Sequence, residues 1–291
     1  MKLALGCVQF GLDYGVTNSS GQVPLEEARR ILCYATQVGI DTLDTAAMYG
    51  NSEQVLGSLL KPFNSEFNIV TKLGHVTTKT ELVKSFNNSL SLLNQSQVSG
   101  LMLHRPEVLL SKEGSVIAST LAALKAEGKI SHWGVSVYDP IQTKTITERY
   151  KIDLVQLPLN VFDQRFASSG MLKQLNEQGV RIHARSILLQ GLLCQSQWPS
   201  YFSPWQAQRL AYQKLAKQHQ LTLLQLALSF CHSQPLVERF VLGCQSVAQL
   251  SEIVMAYKKS QGQEVINFAE LANTDIKLII PSNWPTNKQR A

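Results

Sequence analysis

Residues 39–50 read GIDTLDTAAMYG. An apolar run of strand length closes on Asp44, and a helical pattern opens just past Tyr49, at Ser52. The same grammar recurs in NIVTKLG (68–74), which closes on Lys72, and in GLMLHRP (100–106), which closes on His104. Working outward, strand-length apolar runs alternate with helix-period segments along the whole chain. Strands are expected at Lys2–Val8, Thr42–Thr45, Asn68–Thr71, Gly100–Leu103, Trp133–Val137, Leu154–Leu157, Arg181–Ala184 and Phe240–Leu242. Helices are expected at Pro24–Val38, Ser52–Leu60, Lys79–Leu93, Ser115–Glu127, Ile141–Arg149, Met171–Gln178, Pro204–Gln218, Thr222–His232 and Val247–Tyr257. Strand followed by helix, repeated, predicts a parallel sheet. Several of the runs are continuously apolar, as in strands buried on both faces. Eight such strands give a single-domain (β/α)8 barrel of the TIM type over residues 1–291, with 281–291 a loose polar tail. An open doubly wound sheet is the rival, but GLDYGVTNSSGQ (11–22) after the first strand lacks the Gly-x-Gly-x-x-Gly phosphate loop.

Composition narrows the class. Apolar residues make up 44% and charged residues 16% of 291 residues, the balance of a globular chain. The net charge of +6 comes without a dense Lys/Arg run, which argues against a nucleic-acid partner. No stretch has the length and apolarity of a membrane span. Cys7, Cys33, Cys194, Cys231 and Cys244 form no Cys-x-x-Cys pair, and their odd number suits free thiols in a reducing, cytoplasmic setting. The scattered histidines show no metal-ligand spacing.

In a closed parallel barrel the C-terminal strand ends share one mouth. Asp44, Tyr49, Lys72 and His104 therefore meet there. A tyrosine whose pKa a neighbouring cation lowers can protonate a carbonyl oxygen. The lysine supplies the cation, the aspartate holds the lysine, and the histidine orients the carbonyl. Taken singly, Asp44 reads equally well as a loop-capping carboxylate and Tyr49 as a ring packed over a helix start. The set as a whole, in the DTAxxYG context, resembles the aldo-keto reductase family.

That resemblance implies nicotinamide-dependent reduction of an aldehyde or ketone, and it assigns further residues to the cofactor. LGCVQFG (5–11) is similar to the family's first strand and brings Gly6 and Cys7 beside the nicotinamide. GVSVYD (134–139) and VQLPLN (155–160) bring Ser136 and Gln156 to the carboxamide, although Val137 stands where the family usually has asparagine. HARSILLQGLL (183–193) brings Arg185 in place of a stacking tyrosine, with Ser186 and Gly191 in a loop around the pyrophosphate. VLGCQSVAQLSEI (241–253) brings Gly243, Gln245, Ser246, Gln249 and Glu252 to the adenosine end. The family resemblance implies NADP(H). Gln245 stands where a base usually reads the 2′-phosphate, and no Lys or Arg occurs from Phe240 to Ala256, which leaves NAD(H) open. Asn160, Phe162, Arg165, Trp198 and Trp205 are candidates for the mouth. Similarity to short bacterial members extends the expected small-molecule substrate to a sugar or nucleotide sugar. A nicotinamide-bound regulatory or redox-sensing subunit, and a barrel aldolase using Lys72, are the competing readings. The sequence leaves the oligomeric state open.

Overall fold

The computed structural model describes residues 1–63, 67–262 and 265–285. In chain order the elements are β1 (Leu3–Gly6), α1 (Val8–Gly11), α2 (Leu25–Gln37), β2 (Thr42–Asp44), α3 (Ser52–Leu59), β3 (Asn68–Leu73), α4 (Lys79–Leu93), β4 (Val98–Leu103), α5 (Gly114–Ala126) and β5 (Ile130–Ser136). They continue with α6 (Pro140–Arg149), β6 (Leu154–Pro158), α7 (Arg165–Ser168), α8 (Met171–Glu177), β7 (Arg181–Arg185), α9 (Gln206–Gln218), α10 (Leu223–His232), β8 (Arg239–Gly243), α11 (Val247–Lys259) and α12 (Ile276–Ile279). The eight strands close into one barrel in sequence order, every pair parallel, with β8 returning to β1. This is the single-domain (β/α)8 barrel that the alternating pattern predicts.

The strands alternate more strictly than their apolar look suggests. Leu3, Leu5, Leu43, Leu101, Leu103, Val135, Val155, Leu157, Ile182 and Phe240 belong to the large core between barrel and helices. Inside the barrel the apolar set is small: Val70, Met102 and Leu154 form a cluster of their own. Much of the rest of the interior is polar. Gln156 on β6 donates to Asp44 on β2 across the barrel, so both side chains point inside. Strand pairing puts Gln156 beside Ser136 and His183, and His183 beside Arg239. Strands with an apolar outer face and a polar inner face are what a barrel needs when its lumen carries chemistry.

Side-chain caps start several of the helices. Thr78 and Glu81 form a capping box at the start of α4, and Asp139 caps α6. Ser246 caps α11 by accepting a hydrogen bond from the Gln249 N–H. The first strand is shorter than expected. It stops at Gly6, because the chain turns into the helical turn α1, whose flanking residue is Cys7. The polar end is not loose as far as it is described: Pro281–Asn283 form a 3-10 turn, and Trp284 packs buried against Phe202. Residues 286–291 of the expected tail lie outside the described residues. Among the described residues no helix is long and apolar enough to cross a membrane.

Candidate active site

The C-terminal strand ends open into a cavity of about 750 Å³. Asp44, Tyr49 and His104 line it. Lys72 lies fully buried below the wall. Its ammonium donates to Asp44 Oδ2 at 2.7 Å and to the Thr45 carbonyl at 2.8 Å. It also stands 4.8 Å from the centroid of the Tyr49 ring. Asp44 Oδ1 accepts from Gln156 Nε2 at 2.6 Å, so both carboxylate oxygens are held. The rings of Tyr49 and His104 meet edge to face, 5.8 Å between centroids. The expected tetrad is thus one connected group.

Its electrostatics differ from the sequence expectation in one respect. Tyr49 is not drawn down toward neutral pH. Burial, and then the charge of Asp44, push its pKa up, while Arg185 pulls the other way. Tyr49 is therefore a protonated phenol across the physiological range. Burial also lowers Lys72, against the opposing charge of Asp44. His104 is pulled down to about 4, first by burial and then by Lys72 and Arg185, so its imidazole is neutral at pH 7.

The turn that carries Tyr49 is held by a close backbone approach. A Cβ at Gly11 would overlap the Tyr49 carbonyl, and one at Gly50, where φ is +57°, would overlap the Gly11 carbonyl. Thr45 and Ser52 share a hydrogen bond of 3.0 Å, and Ser52 donates to the Cys7 carbonyl, tying the same turn to β1.

Of the residues that the sequence assigns to a cofactor, Gly6, Gln156, Arg185, Ser186, Gly191, Gly243, Gln245, Gln249 and Glu252 line the cavity. Cys7, Ser136 and Ser246 do not. Cys7 is buried, turns its thiol to the Leu5 carbonyl, and has its pKa pushed up by burial. Ser136 is buried at the end of β5, below the wall. Ser246 spends its oxygen on the α11 cap. The candidates for the mouth are likewise elsewhere. Asn160 is a buried turn residue that donates to the Ser186 carbonyl and accepts from Phe162 and Asp163. Phe162 and Trp198 pack together in the core, Arg165 pairs with Asp163, and Trp205 donates to Asp275.

The structure adds residues that sequence reading missed. Gln9 follows β1 and enters the wall, as do Tyr14, Thr17 and Asn18 from the long connection before α2, and Tyr138 after β5. That connection faces the loop after β7, where Ser186, Leu189, Gln190 and Gly191 all have positive φ. Thr17 donates to the Gln190 carbonyl at 3.3 Å, and Gln190 donates to the Tyr14 hydroxyl at 3.1 Å. The two loops thus join beside the cavity. The length of the first connection and its Gly/Asn content were the available signal.

Several buried polar atoms at this wall have no protein partner: Gln9 Oε1, His104 Nδ1, Gln156 Oε1 and Gln245 Nε2. An orphaned buried polar atom costs ~1–3 kcal/mol, which a ligand's complementary group recovers.

The profile of the aldo/keto reductase family matches residues 2–270. The chain belongs to this family of nicotinamide-dependent oxidoreductases. It is 24% identical over 281 residues to the uncharacterized oxidoreductase YqkF of Bacillus subtilis (strain 168), covering 88% of this chain and 86% of that protein. It is 30% identical over 205 residues to the L-glyceraldehyde 3-phosphate reductase of Escherichia coli (strain K12), covering 62% of this chain and 59% of that protein. In fold it is similar to the holo form of an aldo-keto reductase from Bacillus halodurans, with a TM-score of 0.76 at 20% identity over 94% of this chain and 92% of that one. A glycerol dehydrogenase from Gluconobacter oxydans aligns with a TM-score of 0.73 at 21% identity over 98% of this chain and 94% of that one.

Proposed function

We propose that the chain reduces an aldehyde or ketone to the alcohol, with Tyr49 as proton donor and Asp44, Lys72 and His104 in support. The observation that carries this reading is the buried Asp44–Lys72 pair set 4.8 Å behind the ring of a phenol that opens on the cavity. When bound, a nicotinamide supplies the hydride that goes to the carbonyl carbon. The Tyr49 O–H gives its proton to the carbonyl oxygen as negative charge builds there. The neutral imidazole of His104, edge-on to Tyr49, offers a hydrogen bond that fixes the same oxygen. The phenolate left behind is stabilised by the Lys72 ammonium and regains its proton from solvent. The reductive direction begins from the phenol, the form in which burial keeps Tyr49.

The orphaned groups fit a nicotinamide dinucleotide. Gln156 Oε1 would accept from the carboxamide, and Gln245 Nε2 would donate at the adenosine end. Gly6 would line the nicotinamide end, and Gly243, paired with Gly6 between β1 and β8, would stand at that end and not at the adenosine end that the sequence suggested, with Ser186 and Gly191 beside the pyrophosphate. At the far end Gln249 and Glu252 would meet the adenosine. The α11 N-terminus already holds a carboxylate, since the Val247 N–H donates to Glu27 at 2.8 Å. With no cation at Gln245, this arrangement supports use of both NADPH and NADH, with little discrimination.

Tyr49→Phe tests the reading. Turnover of an aldehyde panel, followed by loss of NAD(P)H absorbance, should fall at least ~10²-fold, as for removal of a general acid. Cofactor affinity from fluorescence titration should be kept. Near-native turnover would remove Tyr49 from the role.

A further inference from the structure

Arg185 ends β7 and reaches the cavity half-buried. It is the one Lys or Arg among the described residues that line this cavity. Its guanidinium is fixed in place. It stacks with Cζ 3.9 Å from the centroid of the Tyr138 ring, and Nη2 donates to the Val137 carbonyl at 2.9 Å. A weaker bond runs from Nη1 to Ser186 Oγ at 3.4 Å. A guanidinium has five N–H donors in a planar fork, so several stay without a protein acceptor here.

What this cation lacks is a counter-charge. Arg165, Arg181 and Arg239 each pair with a carboxylate. Among the described residues no carboxylate lies within ion-pair distance of Arg185. Asp44, the acid nearest the floor, is already taken by Lys72 and Gln156. Taking a charge partly out of water without a partner costs free energy, which a bound anion recovers. Arg185 is also close enough to Tyr49 and His104 to shift the titration of both. An oxidised nicotinamide, itself a cation, would be an unfavourable neighbour.

We infer that Arg185 selects a carbonyl substrate bearing its own anionic group, a carboxylate or a phosphate, which the guanidinium fork grips while Tyr49 and His104 hold the carbonyl oxygen. This rests on the reductase reading above and narrows its substrate class. The reaction balances as before: one hydride to carbon, one proton from Tyr49 to oxygen, and the anion unchanged.

The test compares 4-carboxybenzaldehyde with methyl 4-formylbenzoate, which share ring and aldehyde and differ in charge. Glyceraldehyde 3-phosphate against glyceraldehyde forms the phosphate arm and tells which anion is preferred. In Arg185→Met the ratio of kcat/KM, charged over neutral, should fall about tenfold to a hundredfold, the span of a charged hydrogen bond. Arg185→Lys, which keeps the charge and loses the fork, should fall less. A purely structural role would lower both members of each pair alike and leave the ratio where it was, which overturns the inference. So would a variant that loses only NADPH and NADH affinity, because Arg185 would then serve the cofactor. Calorimetric titration with 4-(hydroxymethyl)benzoate gives a readout independent of turnover. If no carbonyl compound is reduced, the reductase reading fails, and binding of this anion that Arg185→Met abolishes still upholds the site; no such binding sinks it.

Discussion

A lysine with no solvent access keeps its charge only if the surroundings replace water, and at Lys72 that task falls to Asp44 and the Thr45 carbonyl. The pair is a liability when halved. Removing one partner of a buried ion pair typically costs ~3–5 kcal/mol, because the other charge is left stranded. Lys72→Met should therefore lower the unfolding free energy in urea by about that much, and Lys72→Met with Asp44→Leu should restore a large part of it. A double variant no more stable than the single one would show that Asp44 is held mainly by Gln156. Single residues also show where sequence reading stops. Asp44, Tyr49, Lys72 and His104 were legible as a group because each lies at or just beyond an apolar run of strand length, which brings them to one end of the barrel. Cys7, Ser136 and Ser246 stand at similar positions, yet their side chains are buried or spent on backbone groups. Position along the chain does not say which way a side chain turns.

At the scale of elements, the clearest consequence lies at the start of α11. Ser246 and Glu27 satisfy N–H groups that an adenosine phosphate would otherwise use. Gln245→Arg combined with Glu27→Gln removes the opposing carboxylate and adds a phosphate partner. NADPH should then bind tighter by ~1.5–3 kcal/mol, with NADH nearly unchanged. Competitive fluorescence titration of the two cofactors checks this, and an equal gain for both would mean that the 2′-phosphate does not reach α11. The strands themselves were legible to within a few residues, because apolar runs and helix periods are local. The wall formed by Gln9, Tyr14, Thr17 and Asn18 was not. Apart from Gln9, which lies in α1, it comes from an irregular connection whose path depends on contacts with a loop far away in sequence, and no periodicity reports that.

For the molecule as a whole, the polar barrel interior makes stability depend on pH. His183 is buried inside with neither ring nitrogen partnered, and burial pulls its pKa from 6.5 to about 4. The unfolded chain therefore takes up this proton at higher pH than the folded one. Stability is complete above pH 6.5 and is lost as the pH falls toward 4, with His104 acting in the same direction. The His183 share approaches about 3 kcal/mol. In urea melts, the drop in unfolding free energy between pH 7 and pH 4.5 should shrink in His183→Leu. An unchanged drop would assign the acid sensitivity elsewhere. The joined loops beside the cavity have a consequence of another kind. Thr17, Gln190 and Tyr14 connect two segments that line the same space. On the proposed reading, a dinucleotide held under that junction would wait for it to part, both on entry and on departure. A barrier common to both directions slows arrival and departure alike and leaves the equilibrium between them unmoved. Thr17→Ala should thus raise the association and dissociation rates of NADPH together in stopped-flow traces, at a nearly constant Kd. A change in one rate alone would mean that the junction grips the ligand rather than gating its passage.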